Sequence, residues 1–337
     1  MRSRVAIVVT ALLLIALALP AAVGAHSPGG NAQSERARTL AYWTPARIAN
    51  ATPRDFVKDA SGKLVPKARP GGGGSGTGAV TGASWTGDGI VEKQSGRILF
   101  TMGGSDYICS GSVVDSGNDA TYSTVLSAGH CVFDDADGWA TNWMYIPDFD
   151  DAPTYTCSAT IYGCWTANRL GAHTNFVNAG GFNDQAVAVD FAFAQVGLGG
   201  KGATGTLDLD GVTGGYGLKT SGVTNATKLW AFGYPAAGKY KGKDLTYCTG
   251  TLSNDPNGAN TWGMACNMTG GSSGGPWLGD TTNPGTTEGA VASLNSYGYG
   301  NSAVMYGPKF TSQTSTLAGD VMDGSATSGV SVLKTLP

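Results

Sequence analysis

Thr269-Gly270-Gly271-Ser272-Ser273-Gly274-Gly275-Pro276-Trp277 is a turn of small residues that runs into an apolar strand. A serine hydroxyl is a weak nucleophile at neutral pH. It needs a neighbouring base and an anion site for a tetrahedral intermediate. Glycines on both sides of Ser273 permit a tight turn that aims bare N–H groups at one point. The N–H groups of Gly271 and Ser273 are the candidate donors. The chain holds 53 glycines, so a small-residue loop is weak evidence by itself. The reading therefore turns on whether Ser273 has partners elsewhere.

The spacing Gly271-x-Ser273-x-Gly275 fits the nucleophile elbow of α/β-hydrolases. It fits equally the Gly-x-Ser-Gly-Gly-Pro turn of chymotrypsin-like proteases. Chain order separates the two, since the first needs its histidine after the serine and the second before it. The histidines are His26, His130 and His173, and none follows Ser273. His130 ends the run Val125-Leu126-Ser127-Ala128-Gly129-His130-Cys131. Asp190 lies in the apolar run Val187-Ala188-Val189-Asp190-Phe191-Ala192-Phe193-Ala194. A carboxylate buried there needs a polar partner. An imidazole N–H suits it, because a buried aspartate fixes the tautomer and stabilises the imidazolium. Separately, Asp190 could cap backbone N–H groups and His130 could be structural. In the order His130, Asp190, Ser273 they make a candidate triad.

The rest of the chain divides by composition. Residues 1–25 read as a secretory signal peptide, with Arg2 and Arg4, the apolar run Val5 to Leu19 and the small-residue site Val23-Gly24-Ala25. The apolar run is short for a membrane span, so no stable membrane anchor is expected. Six cysteines in an exported chain read as disulfides. Residues 26–88 form a leader. Its first part, 26–70, carries eight Lys/Arg against three acids, and Gly71-Gly72-Gly73-Gly74-Ser75-Gly76 reads as a linker. Thr44-Pro45 predicts a short helix over Ala46–Asn50. The remaining residues, 71–337, carry 11 basic and 21 acidic side chains. A basic leader on an acidic domain suggests a propeptide that docks in cis by charge. The acidic balance argues against nucleic acid as partner.

Residues 89–337 predict one all-β domain. Short apolar or alternating runs recur at 97–102, 109–114, 122–127, 143–146, 187–196, 228–234, 247–252, 289–294 and 303–306, separated by Gly, Asn, Asp and Pro. One weak helical pattern covers Thr314–Met322.

With these residues in place, the chain resembles secreted bacterial serine proteases of the chymotrypsin-like clan, near the trypsin-like and glutamyl-endopeptidase-like branches. The matching segments are Cys109-Ser110-Gly111-Ser112-Val113-Val114, Ser127–Cys131, Asp190-Phe191-Ala192, Gly233-Tyr234-Pro235 and Gly271–Pro276. The resemblance implies two six-stranded β-barrels with the catalytic cleft between them. It implies His130 as general base and then acid, Asp190 as its orienter, Ser273 as nucleophile, and the N–H groups of Gly271 and Ser273 as oxyanion hole. It implies an acyl-enzyme and no metal or organic cofactor. The family pattern pairs Cys109 with Cys131. Cys157 and Cys164 could close a small loop, leaving Cys248 with Cys266, although six cysteines allow other pairings.

Two departures stand out. Vertebrate-type members carry an aspartate immediately before the nucleophile, which captures the new N-terminal amine; here it is Ser272. Activation by removal of a blocking leader is the simpler expectation. Trypsin-like members place an aspartate six residues before the nucleophile, and here Asn267 stands there. The glutamyl-specific pocket histidine is absent from Ala290–Asn295, and His173 reads as an exposed loop histidine. A neutral or apolar side chain at the cleaved residue follows. Ser293, Leu294 and Asn295 are expected to offer the edge that pairs with the substrate backbone. The acidic turns Asp134–Gly138 and Asp148–Asp151 read as solvated turns rather than calcium sites. The expected partners are protein or peptide substrates, acted on by a monomer. A catalytically silent binding protein and an esterase using the same triad are the rival readings.

Overall fold

A computed structural model describes residues 28–58, 64–66, 80–117, 121–150, 156–299 and 302–337. The expected signal peptide (1–25) and Gly-rich linker (71–76) lie outside the described residues. Six strands form the first barrel: β1 (Ser95–Met102), β2 (Ser105–Val114), β3 (Ser123–Ser127), β4 (Thr141–Pro147), β5 (Trp165–His173) and β6 (Ala192–Val196). They run in the order β2-β1-β4-β5-β6-β3, and β2 also pairs with β3, so the ladder closes. Ile98, Leu99 and Phe100 are buried in succession. Alternation is lost there because both faces of the strand are covered.

Six further strands build the second half: β7 (Lys228–Gly233), β8 (Thr246–Thr251), β9 (Thr261–Ala265), β10 (Pro276–Gly279), β11 (Ala290–Leu294) and β12 (Val304–Pro308). Here the expected closed ladder is divided. β11, β10, β7 and β8 lie in one sheet, and β9 with β12 in another. Leu229, Ala231, Trp262, Met264, Trp277 and Met305 fill the space between them. The disulfide Cys248–Cys266 ties β8 to the end of β9. The disulfides Cys109–Cys131 and Cys157–Cys164 are present as anticipated.

Several local expectations change. The run 187–196 is not one strand. Asp184–Val187 is a helical turn capped by Asn183, and β6 begins only at Ala192. Before residue 88, Val80–Ser84 pairs with β8 as an edge strand of the second half. Trp85 then packs edge-on against Phe232 and Tyr247.

The leader is built onto the first barrel. α1 (Pro28–Tyr42) has no counterpart in the sequence reading, whereas α2 (Pro45–Asn50) has the anticipated Thr44 cap and first-turn proline. α3 (Ser312–Asp323) matches the weak pattern and starts with a capping box at Thr311. Arg36 of α1 is buried and donates to the carbonyls of Cys164 (2.8 Å), Gly200 (3.0 Å) and Gly202 (2.7 Å). Burial pulls its pKa down to about 10. The Trp43 indole donates to Asn142 O at 2.6 Å, and Arg47 pairs with Asp106 at 2.9 Å.

Candidate active site

Three chain segments meet where the two halves face each other. His130 sits on a 3₁₀ turn, Gly129–Cys131, that follows β3. Asp190 lies just before β6, and Ser273 just before β10. His130 and Asp190 are both fully buried. The His130 N–H donates to Asp190 Oδ1 at 2.9 Å, and His130 Nδ1 lies 2.8 Å from Asp190 Oδ2. Asp190 Oδ2 also accepts from the Ser296 hydroxyl. With Nδ1–H donated to the carboxylate, Nε2 carries the free lone pair. Among the described residues, Nε2 has no hydrogen-bond partner.

The Ser273 turn is held from both sides. Gly271 and Gly274 have φ of +95° and +83°, which side chains rarely tolerate. A Cβ at Gly274 would also lie 2.2 Å from Ser127 Oγ and 2.4 Å from Ser110 O. Ser272 N donates to Thr269 O at 3.2 Å and Gly274 N to Asn295 O at 2.7 Å. The N–H groups of Gly271 and Ser273 donate to no described residue. Ser110 on β2 fastens this turn to the first barrel. Its N–H donates to Ser273 O at 2.7 Å and its hydroxyl to Gly271 O at 2.8 Å, while that hydroxyl accepts from Tyr234 N at 2.9 Å. Sequence reasoning quoted Ser110 within a matching segment but gave it no role, and it missed Ser296.

The remaining expected site residues fare differently. Ser293, Leu294 and Asn295 are fully buried. Asn295 Nδ2 donates to Phe232 O (2.7 Å) and Ser272 O (3.0 Å), and its Oδ1 accepts from the Trp277 indole at 2.8 Å. Ser293 Oγ donates to Pro308 O at 2.7 Å. These side chains brace the Ser273 turn and β12. The strand that takes another segment lies a few residues on, at Gly298–Tyr299. It is anchored by the hydroxyls of Tyr297 and Tyr299, which both donate to Asp255 Oδ2 at 2.5 Å. Asn267 is buried, and its Oδ1 accepts from the Tyr240 hydroxyl.

His173 is likewise not an exposed loop residue. It ends β5, is buried, and its Nδ1 accepts from Asn175 N at 3.1 Å to cap the turn Thr174–Val177. Burial holds its pKa below 6.5. The acidic turns are not merely solvated: Asp134 pairs with Arg54, Asp148 is buried, and Asp150 accepts from Leu245 N at 2.9 Å. Among the described residues, the His/Cys/Asp/Glu group close enough to share a metal ion is Cys109, His130 and Cys131, whose cysteines are bonded to each other.

The chain is similar to the protease Anisep from Arthrobacter nicotinovorans, at 36% identity over 71% of this chain and 100% of that one, with a TM-score of 0.58. It is similar to the thermostable serine protease AL20 from an extremophilic microorganism, at 32% identity over 70% of this chain and 98% of that one, with a TM-score of 0.56. A Glu endopeptidase solved with MPD shares the fold at 17% identity over 73% of this chain and 97% of that one, with a TM-score of 0.51. No protein-family model and no curated protein matches the chain.

Proposed function

Since the chain belongs to the bacterial chymotrypsin-like serine proteases, we propose that it is a secreted serine endopeptidase made with an N-terminal propeptide. The observation that carries this reading is the buried His130–Asp190 pair at 2.8 Å beside the glycine-framed Ser273 turn. His130 Nε2 takes the proton of Ser273 as Oγ bonds to the substrate carbonyl carbon. The carbonyl oxygen becomes an oxyanion, received by the N–H groups of Gly271 and Ser273. His130 then returns the proton to the leaving amine, and water releases the acyl group by the reverse sequence. Asp190 holds the imidazole in the required tautomer.

Asn267 with the Tyr240 hydroxyl offers no charge where a trypsin-like pocket has its carboxylate. A neutral or apolar side chain at the cleaved residue is therefore the proposed preference. Export is supported by three disulfides. Among the described residues, no helix is long and apolar enough to cross a membrane.

Labelling with a fluorophosphonate probe tests the reading. The trimmed native protein is expected to label, and the Ser273→Ala and His130→Ala variants are not. Labelling of neither the native protein nor the variants would leave a silent, binding role in its place. Turnover of matched amide and ester substrates then separates a peptidase from an esterase.

A further inference from the structure

The cleft is crossed by the chain's own leader. Leader residues Thr52 and Pro53 pair with Tyr107 and Ile108 of β2, and Val57 and Lys58 pair with Gly298 and Tyr299. Both pairings are parallel. Between them, Arg54 O accepts from Ser273 Oγ at 3.4 Å. The Arg54 side chain turns toward the His130 loop, where Nε donates to His130 O at 2.9 Å and the guanidinium pairs with Asp134. The buried Phe56 ring stands edge-on to His130 at 5.2 Å between centroids and lies 4.2 Å from the Phe182 ring. Val187, Tyr297 and Tyr306 complete that apolar recess.

The chemistry gives a substrate one direction through such a cleft. His130 must hand its proton to the leaving amine, so the segment after the cleaved bond belongs on the flank of the His130 turn. The Cys109–Cys131 disulfide fastens that turn to β2. The acyl segment then belongs along the opposite flank, the Gly298–Tyr299 edge. The leader reverses this arrangement. Its earlier residues lie on β2 and its later residues on the Gly298–Tyr299 edge. A second observation agrees. The Arg54 carbonyl is bound by the Ser273 hydroxyl and not by the N–H groups of Gly271 and Ser273. The hydroxyl proton thus points at a carbonyl oxygen, while His130 Nε2 has no described partner.

We propose that the leader is a built-in inhibitor threaded through the active site against the direction of a substrate, so that it fills the cleft without being cut there. This rests on the serine-peptidase reading. Phe56 occupies the recess beside His130, and Arg54 pins the strand to the His130 loop. It follows that the maturing cut is intermolecular, made by a second copy or by another protease.

Engineered cysteine pairs in the full secreted Ser273→Ala chain test the direction. All six native cysteines are already paired. Thr52→Cys with Tyr107→Cys is expected to form a disulfide, read by peptide mass spectrometry, and Val57→Cys with Tyr107→Cys is not. Formation of the second pair, or of neither, overturns the proposal. In the active chain, Phe56→Ala is expected to raise the rate of fluorophosphonate labelling of the precursor at least tenfold, and the Arg54–Asp55 bond is expected to stay intact. A cut at Arg54–Asp55, or a native precursor that labels as fast as the trimmed chain, also overturns it. A trimmed chain that does not label instead defeats the peptidase reading beneath it.

Discussion

Asp190 sits without solvent contact and accepts from the His130 N–H, the imidazole and the Ser296 hydroxyl. A buried carboxylate is tolerable only with such a set of donors. Asp190→Asn keeps the shape but lets the imidazole adopt the wrong tautomer. On the proposed reading kcat is expected to fall about ten-thousandfold, as loss of the orienting carboxylate does in Ser–His–Asp hydrolases, with little change in KM. Ser296→Ala removes one donor of three, and a loss of about tenfold in kcat is expected, equivalent to roughly 1.4 kcal/mol. Steady-state kinetics on one peptide substrate checks both, and equal losses would deny Ser296 its auxiliary place. The candidate triad was legible because a histidine at the end of an apolar run, an aspartate inside another and a glycine-framed serine carry chemical signals by residue type alone. Ser296 carries none, since a serine beside Tyr297 and Gly298 has no spacing that marks it. The bracing by Ser293 and Asn295 was hidden for the same reason. Nothing in the sequence tells that the chain leaves the sheet after Leu294, or that the Asn295 amide is spent on Phe232 and Ser272.

At the scale of elements, the Ser273 turn owes its position to β2 as much as to its own glycines. Ser110→Ala leaves Gly271 O and Tyr234 N without their buried partner. A stability loss of about 1–3 kcal/mol is expected from denaturant unfolding, together with reduced labelling of Ser273. A stability change within error would mean the turn is self-supporting. His173 gives a second test, at the end of β5. Its folded pKa lies below its ordinary value because burial disfavours the imidazolium. The unfolded chain therefore binds more protons near and below pH 6.5, and stability present above that pH is lost as the pH falls through this range toward the lower folded pKa. Asn is a good helix cap and does not titrate. His173→Asn is thus expected to flatten the fall in melting temperature between about pH 6.5 and pH 5. An unchanged slope would assign the effect to other groups. β5 itself escaped the sequence reading. Thr166, Asn168 and Arg169 interrupt its apolar pattern, yet Arg169 is used to donate to Val321 O at 2.7 Å at the end of α3. The run 187–196 misled in the opposite sense. Its apolar residues are continuous, but the Asn183 cap starts a helical turn before the strand does. Local pattern reports burial well and chain direction poorly.

Across the whole molecule, the charge contrast between residues 26–70 and the rest suggests docking by ion pairs, but the contacts of residues 28–58 are of another kind. The deepest anchor, Arg36, meets three neutral carbonyls rather than carboxylates. Arg54 meets Asp134 at the cleft, and Arg47 meets Asp106 in a more exposed pair. Salt weakens interactions between exposed charges, with a screening length of about 10 Å at 0.1 M, but has little purchase on a buried guanidinium held by backbone oxygens. Raising the ionic strength is therefore expected to leave the leader docked, whereas Arg36→Ala is expected to release it. That substitution removes the Arg36 hydrogen bonds to the carbonyls of Cys164, Gly200 and Gly202, of which the first two keep each other's backbone N–H at 3.1 Å, and opens a space between α1 and the loop that the Cys157–Cys164 disulfide closes. Each hydrogen bond so lost costs about 0.5–1.5 kcal/mol, and more where the donor is charged. Limited proteolysis of the Ser273→Ala precursor is the measurement, with cleavage in residues 36–58 followed against time at low and high salt. Fast cleavage in Arg36→Ala at both salt concentrations, beside slow cleavage of the parent at both, is the expected pattern. Release of the parent leader by salt alone would show that the net charge contrast holds it, with Arg36 a bystander. After trimming, Arg36→Ala and parent must melt at the same temperature, since residue 36 has left with the leader, and this separates loss of docking from damage to the barrel.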